Sequence, residues 1–305
     1  MTEILERYRD LIDDWEAFLA AVHRLLAPCI WTNTLRITAE GLAEWLARDG
    51  VAAEPVRWYP GAFRLPLGLS PGRLLPHAAG LCHIQEEVSL LPVALLDPQP
   101  GDRLLDLCAA PGNKTIQAAV RMEDRGTVIA NDFGRRRIGL IVQNLERLGI
   151  TIGAVTVYDA GNLPREIGLF DRVLADVPCS CEGTARKSRE VLSRKAKDAG
   201  WCRRVQLAIL RKAFQRCRPG GRIVYSTCTY APEENEMVVD ELLRTAPPGS
   251  VRLLPARVEG LRCAPGLGEW DGRRLSEGME RTLRIWPHHN DTGGFFVAVL
   301  ERIAG

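Results

Sequence analysis

The chain has 305 residues, 46% of them hydrophobic and 26% charged, which suits one large domain or two modest ones around a sizeable core and excludes a disordered chain. Forty Lys and Arg against 38 Asp and Glu leave a formal charge of +2, so any binding to a polyanion must rest on local clusters and not on net charge. No apolar run approaches the roughly 18 residues needed to cross a bilayer, and no secretory leader or targeting tail is visible.

Residues 4–26 place apolar side chains from Ile4 and Leu5 to Leu25 and Leu26 at the spacing of an amphipathic helix, closed by Pro28. An extended run from Trp31 to Ile37 follows, then a helix capped by Thr38 and ending near Gly50, then a second extended stretch from Val56 to Tyr59. These make a small α+β module, and the Pro- and Gly-rich stretch from Leu65 to Gly80 reads as a connector, so the expected division is 1–80 and 81–305. From about residue 85 strands and helices alternate, the mark of a mostly parallel, doubly wound α/β sheet of Rossmann-like type. Strands are expected at 103–107, 127–131, 154–158, 171–176 and 222–226, and helices at 114–123, 134–148, 202–217 and from Pro232. Later strands are expected at Val251–Leu254 and Phe295–Leu300.

Ligands of such sheets bind beyond the carboxyl ends of the strands. There the chain carries Asp106 to Thr115 after the first strand, Asp176 to Thr184 after the fourth, and Ser226 to Tyr230 after the fifth, so three strand ends deliver cysteines to one edge. The small-residue loop around Gly112 lets a ligand approach the backbone and points helix amides at it, yet neither a Walker loop nor Gly-x-Gly-x-x-Gly is present, which disfavours ATP and NAD. Asp132 ends the second strand, where an acidic side chain accepts hydrogen bonds from ribose hydroxyls, and Asp159 follows the third, in reach of an adenine amine; each alone is equally a turn or helix cap. The nine cysteines, an odd number with no Cys-x-x-Cys pair, argue for a reducing, cytoplasmic setting and against a disulfide framework or a structural metal. Adjacent His288 and His289 do not easily share one ion and read as polar loop residues.

Together these segments resemble the Sun/NOP family of RNA cytosine-5 methyltransferases, with the pattern Asp-x-Cys-Ala-Ala-Pro-Gly-Gly-Lys-Thr, Asp-Ala-Pro-Cys-Ser-Gly-x-Gly, and Ser-Thr-Cys-Ser followed by Glu-Asn-Glu. The chain supplies Cys108 to Lys114, Asp176 to Gly183, Ser226 to Cys228 and Glu234-Asn235-Glu236, with Gln85, Ser89, Pro287-His288 and Gly294-Phe295-Phe296 as further matches, from about residue 31 onward. It departs at Asn113, Val177, Cys181 and Thr229, none of which removes a reacting group, although Cys181 narrows the loop beside Cys179.

The resemblance implies a Rossmann-like methyltransferase sheet carrying S-adenosylmethionine against Cys108, Ala109, Ala110, Pro111, Gly112, Asn113 and Lys114, with Asp132, Asp159 and Asp176 around it and Arg137 nearby. Acidic surroundings suit its sulfonium. It further implies that Cys228 is the nucleophile and that Cys179 assists proton removal from carbon 5 and release of the first thiol. A nucleophilic thiol needs its pKa lowered by a helix N-terminus or a cation, and Cys228 precedes an expected helix. Asp176 is expected to hydrogen-bond the cytosine, and Lys114 to contact base or cofactor. Cys29, Cys82, Cys202, Cys217 and Cys263 read as packing, while Cys108 lines the site or supports its loop.

Arg186, Lys187, Arg189, Arg194, Lys195, Lys197, Arg203 and Arg204 form a local polyphosphate footprint after the Cys179 loop, and Arg135, Arg136 and Arg137 add contacts or solvate a helix start. The expected substrate is RNA, rRNA ahead of tRNA, with a ribosomal subunit among the partners and the target base flipped into the pocket. The module before residue 80 resembles the family's small RNA-recognition-like subdomain, where Trp58 and Tyr59 are expected to pack and not to stack on RNA. The chain is expected to be monomeric and away from membranes. The rival reading is a noncatalytic RNA-binding or ribosome-assembly factor on the same fold; a DNA methyltransferase would place its nucleophile in the Pro-Cys segment at Cys179.

Overall fold

The computed structural model describes residues 3–192 and 199–303. Two sheets organise it. Strands β1 (Cys29–Thr32), β2 (Glu54–Pro55), β3 (Ala62–Arg64) and β4 (Cys82–Ile84) form a small antiparallel sheet in the order β2-β3-β1-β4. Against it lies the helix Ala39–Arg48, opened by the Thr38 hydroxyl on the Gly41 amide at 3.1 Å, and Ile30, Leu42, Leu46, Phe63 and Cys82 make the shared core.

The large sheet holds β5 (Arg103–Asp106), β6 (Thr127–Asn131), β7 (Gly153–Thr156), β8 (Phe170–Asp176) and β9 (Cys217–Thr227), all parallel. After them come β10 (Val251–Leu253), β11 (Ala264–Pro265), a separate hairpin of β12 (Glu269–Trp270) and β13 (Arg273–Arg274), β14 (Leu283–Ile285) and β15 (Phe295–Arg302). The order is β11-β14-β15-β9-β8-β5-β6-β7, with β10 on β15, so an antiparallel flank extends a parallel centre. Successive side chains alternate between faces, so Leu104, Val128, Leu174 and Val224 enter one layer while Leu105, Val173, Ile223 and Tyr225 enter the other. Strand order reverses beside β5, which opens the cleft between the ends of β5 and β8.

The helices Asn113–Arg121, Arg135–Leu148 and Ala199–Arg216 fill the expected crossovers. Differences cluster near the N-terminus. The expected helix over 4–26 is a 3-10 segment, Glu3–Leu11, and an α-helix, Trp15–His23, because Asp14 turns its carboxylate onto the Ala17 amide at 2.9 Å and starts a new helix. Tyr8 and Phe18 of this pair pack on Tyr230 and Trp286, on the large domain and not on the small sheet. The expected run Trp31–Ile37 stops at Thr32, since Asn33 accepts the Leu35 amide and sends its own amide to the carbonyls of Gly80 and Leu148. Val56 to Tyr59 forms a turn, and the strand comes later, as β3. β4 completes the small sheet from beyond residue 80.

The helix expected from Pro232 begins at Glu236. His288 and His289 both direct Nε2 onto one carboxylate, that of Asp13, at 2.8 and 2.9 Å, so the two neighbours do converge on a common group. No helix among the described residues is long and apolar enough to cross a membrane.

Candidate active site

β8 and β9 are adjacent and parallel, so the loops leaving their carboxyl ends lie side by side. Cys179 and Cys228 thereby meet, Sγ to Sγ at 3.4 Å, and Cys181 lies 3.9 Å from Cys179. The two loops are tied through the backbone: the Gly183 amide donates to the Cys228 carbonyl at 2.9 Å, and the Gly294 amide donates to the Gly183 carbonyl at 2.8 Å. A Cβ on Gly183 would stand 2.2 Å from the Gly294 oxygen, so only glycine lets the three segments close.

Side chains complete the brace. Glu234 accepts from the Ser180 amide and from Gln206, Asn235 accepts from the Thr227 hydroxyl and donates to the Thr229 carbonyl, and Glu236 forms a buried ion pair with Arg284. The Glu-Asn-Glu segment thus positions the cysteine loops, a role its spacing alone does not disclose. Thr229 keeps the hydroxyl of the serine it replaces, meeting Ser180 at 2.6 Å and Glu182 at 2.9 Å. Cys181 adopts φ +67°, the left-handed conformation that the family's glycine takes freely.

A cavity of about 190 Å³ reaches Cys228 and is walled by Lys114, Asp176, Ser89, Glu86 and Phe295. Lys114 Nζ donates to Asp176 Oδ2 at 2.7 Å and to Ser89 Oγ at 2.9 Å, and Ser226 donates to Asp176 Oδ1 at 2.7 Å. Burial works against the Lys114 ammonium, yet the charge and hydrogen bond of Asp176 outweigh it and raise its pKa, so the amine stays charged. Ser226 and Glu86 were missed from sequence; Ser226 stands in the Thr-Cys motif, and Glu86 between the matched Gln85 and Ser89, which was the available signal.

The thiols differ in a useful way. The hydrogen bond shared with Cys179 lowers the Cys228 pKa, but contact with Cys181, burial and the Asp176 carboxylate override it and hold Cys228 well above the ordinary cysteine range. Cys179 is raised too, first by its contacts with Cys181 and Cys228 and then by burial. The expected aid from a helix N-terminus is absent, since that helix starts at Glu236, and the nearby cation is Lys114.

A second cavity, about 520 Å³, shares the wall formed by Asp176 and Val177 and is lined by Cys108, Ala110, Asp132, Arg137, Asp159 and the apolar Leu107, Val205 and Ile209. Gly112, at φ +102°, caps the helix Asn113–Arg121 below the Cys108–Pro111 loop. Asp132 is buried, accepting from the amides of Gly134 and Ala110 and from Arg137 at 2.7 Å, and Asp159 also caps the turn Ala160–Asn162. Asn113, in place of the motif's second glycine, faces the small sheet and accepts from His83 Nε2 at 3.0 Å. Cys108 lines this cavity, its thiol pushed well up by burial. The donor set fits S-adenosylmethionine: carboxylates at neighbouring strand ends for hydroxyls, an amine and a sulfonium, and apolar walls for a base.

The basic run is only partly an exposed face. Arg194, Lys195 and Lys197 lie outside the described residues. Arg186 is buried, donating to the carbonyls of Arg24, Leu25 and Thr292 and pairing with Asp291 at 2.7 Å, so it clamps chain segments together. Arg189 donates to the His23 carbonyl and Arg203 pairs with Glu241, while Lys187 and Arg204 are exposed, as are Arg135, Arg136 and Arg137. Trp58 and Tyr59 are buried, bonded to Glu87 and Gln117, as packing residues. Cys29, Cys82, Cys202 and Cys217 are buried in cores and Cys263 is half-buried.

The parallel sheet, its switch-point cleft and the acidic cavity beside a thiol pair define an S-adenosylmethionine-dependent methyltransferase. Residues 93–301 match the family described as 16S rRNA methyltransferase RsmB/F, and the chain belongs to that family. It is 36% identical over 303 residues to a tRNA (cytosine(49)-C(5))-methyltransferase of Pyrococcus abyssi, covering 98% of this chain and 96% of that one. It is 36% identical to the ribosomal RNA small subunit methyltransferase F of Klebsiella pneumoniae, covering 95% of this chain and 60% of that longer protein. A crystal structure of a methyltransferase homologue from Pyrococcus horikoshii superposes with a TM-score of 0.84 at 31% identity, covering 94% of this chain and 90% of that one.

Proposed function

We propose that the chain methylates carbon 5 of a cytosine in RNA, with Cys228 as nucleophile and Cys179 handling the proton. The observation that carries this reading is the pair of sulfurs 3.4 Å apart beside the wall that the two cavities share. Carbon 5 of cytosine is too electron-poor to be alkylated directly, and a thiolate adding at carbon 6 makes it enamine-like. Cys228, its thiol proton released to solvent, forms that S–C bond. Asp176, fixed by Lys114 and Ser226, accepts from the ring's amine, and the Lys114 ammonium stabilises the electrons gained by the ring. When bound, S-adenosylmethionine supplies an electrophilic methyl group; Cys108, Ala109, Ala110, Pro111, Gly112, Asp132, Arg137 and Asp159 would hold it, while the expected contact from Asn113 is lost because that side chain turns to His83 of the small sheet. Cys179, its own proton passed to solvent, then takes the carbon 5 proton, and the freed electron pair restores the ring double bond as the Cys228 sulfur leaves.

RNA reaches the site past Lys187 and Arg204, in a cytoplasmic setting. The rRNA preference has tRNA as its direct rival, because the relative matched over 96% of its length is named for tRNA. Purified protein given labelled S-adenosylmethionine should label an RNA, and bisulfite sequencing of rRNA and tRNA should place the methyl on one cytosine. RNA binding without incorporation into either class would favour the noncatalytic factor.

A further inference from the structure

Cys179, Cys181 and Cys228 have their Sγ atoms all within 4.8 Å of one another, with Cys179 3.4 Å from Cys228 and 3.9 Å from Cys181. Tetrahedral zinc with sulfur at about 2.3 Å sets its ligand sulfurs about 3.8 Å apart, within that range. The three come from two loops held together by the Gly183 bridge, and Cys181 is kept in the left-handed conformation with its thiol 3.2 Å from the Cys179 carbonyl. Cys228 opens onto the cavity, which leaves room for a fourth, exchangeable ligand such as water. Spacing along the chain hides this set, because Cys-x-Cys plus a distant cysteine matches no zinc ribbon.

We propose that Cys179, Cys181 and Cys228 form a site for a thiophilic divalent cation of the zinc or cadmium kind, one that switches methyl transfer off while it is bound. Each thiol releases its proton to solvent as its sulfur–metal bond forms. Bound metal occupies the lone pair with which Cys228 would attack, so inhibition, unlike binding, rests on the catalytic reading above.

The test is to titrate the reduced, chelator-treated full chain with Cd2+ and follow the thiolate-to-cadmium charge-transfer absorption. One equivalent should saturate the wild type. Cys181→Gly, which relieves the left-handed strain, should weaken binding by about tenfold or more, and Cys263→Ser should leave it unchanged. A thermal shift with S-adenosylhomocysteine reports that each variant is folded. In methylation assays Zn2+ should abolish wild-type turnover and chelator restore it, and the half-inhibiting Zn2+ concentration for Cys181→Gly, relative to its own metal-free rate, should rise about tenfold or more. No charge-transfer band in the wild type, or equal cadmium affinity in Cys181→Gly, would overturn the site. A protein that binds cadmium as expected but methylates no RNA would leave the site standing and remove the catalytic reading instead.

Discussion

The proposed division of labour between two chemically identical side chains rests on where each sulfur stands: Cys228 lines the cavity, and Cys179 is buried behind it. Cys179 and Cys228 share a hydrogen bond that either sulfur can donate, and both thiols are held above the ordinary cysteine range. Because contact with Cys181, burial and Asp176 hold the Cys228 thiol above its usual range, the thiolate is a minor species at neutral pH and its fraction grows as pH rises. The expected outcome is a kcat/KM that climbs about tenfold per pH unit from neutrality into the alkaline range; a flat profile there would show a thiol already ionised. Asp176→Asn keeps the shape, loses the charge facing Lys114, and should lower kcat about a hundredfold with a smaller change in KM, measured by methyl incorporation. Both cysteines were legible in the sequence because they fall at expected strand ends, in segments that resemble the family's motifs. What the sequence hid was the sign of the pKa shift, which depends on Cys181 and Asp176 approaching from another loop and strand end.

At the scale of elements, the site is two loops leaving neighbouring parallel strands, and its precision lies in how they are joined. Gly183→Ala would drive a methyl into the Gly294 carbonyl and part the Cys179 and Cys228 loops, at a cost of about 1–3 kcal/mol and nearly all activity, read by thermal melting alongside turnover. The long periodic elements, such as β6 and the helix Arg135–Leu148, follow directly from hydrophobic spacing. The small sheet does not, because β2, β3 and β4 are only two or three residues long and are fixed by pairing with β1 and with each other. The N-terminal helix misled through its own regularity: its apolar stripe is real, but Asp13 and Asp14 answer to His288, His289 and the Ala17 amide, and the break follows.

Across the whole molecule, the small sheet is fastened by side-chain hydrogen bonds to the helix carrying Lys114. Trp31 bonds Gln85, Gln85 bonds Gln117, and His83 bonds Asn113. Burial pushes the His83 pKa down to about 4, so the imidazole is neutral and its Nε2 proton needs the Asn113 acceptor. Asn113→Ala should leave that donor unpaired and lower stability by about 1–2 kcal/mol, seen as a drop of a few degrees in Tm, with a larger effect on KM for RNA than on cofactor binding. The central claim, that Cys228 attacks and Cys179 releases, is tested most directly by a denaturing gel of the full chain with labelled RNA and S-adenosylmethionine. Cys179→Ser should retain a covalent protein–RNA band that maps to Cys228, and Cys228→Ser should show neither band nor methyl transfer. A band that maps to Cys179, or undiminished turnover by Cys228→Ser, would contradict it.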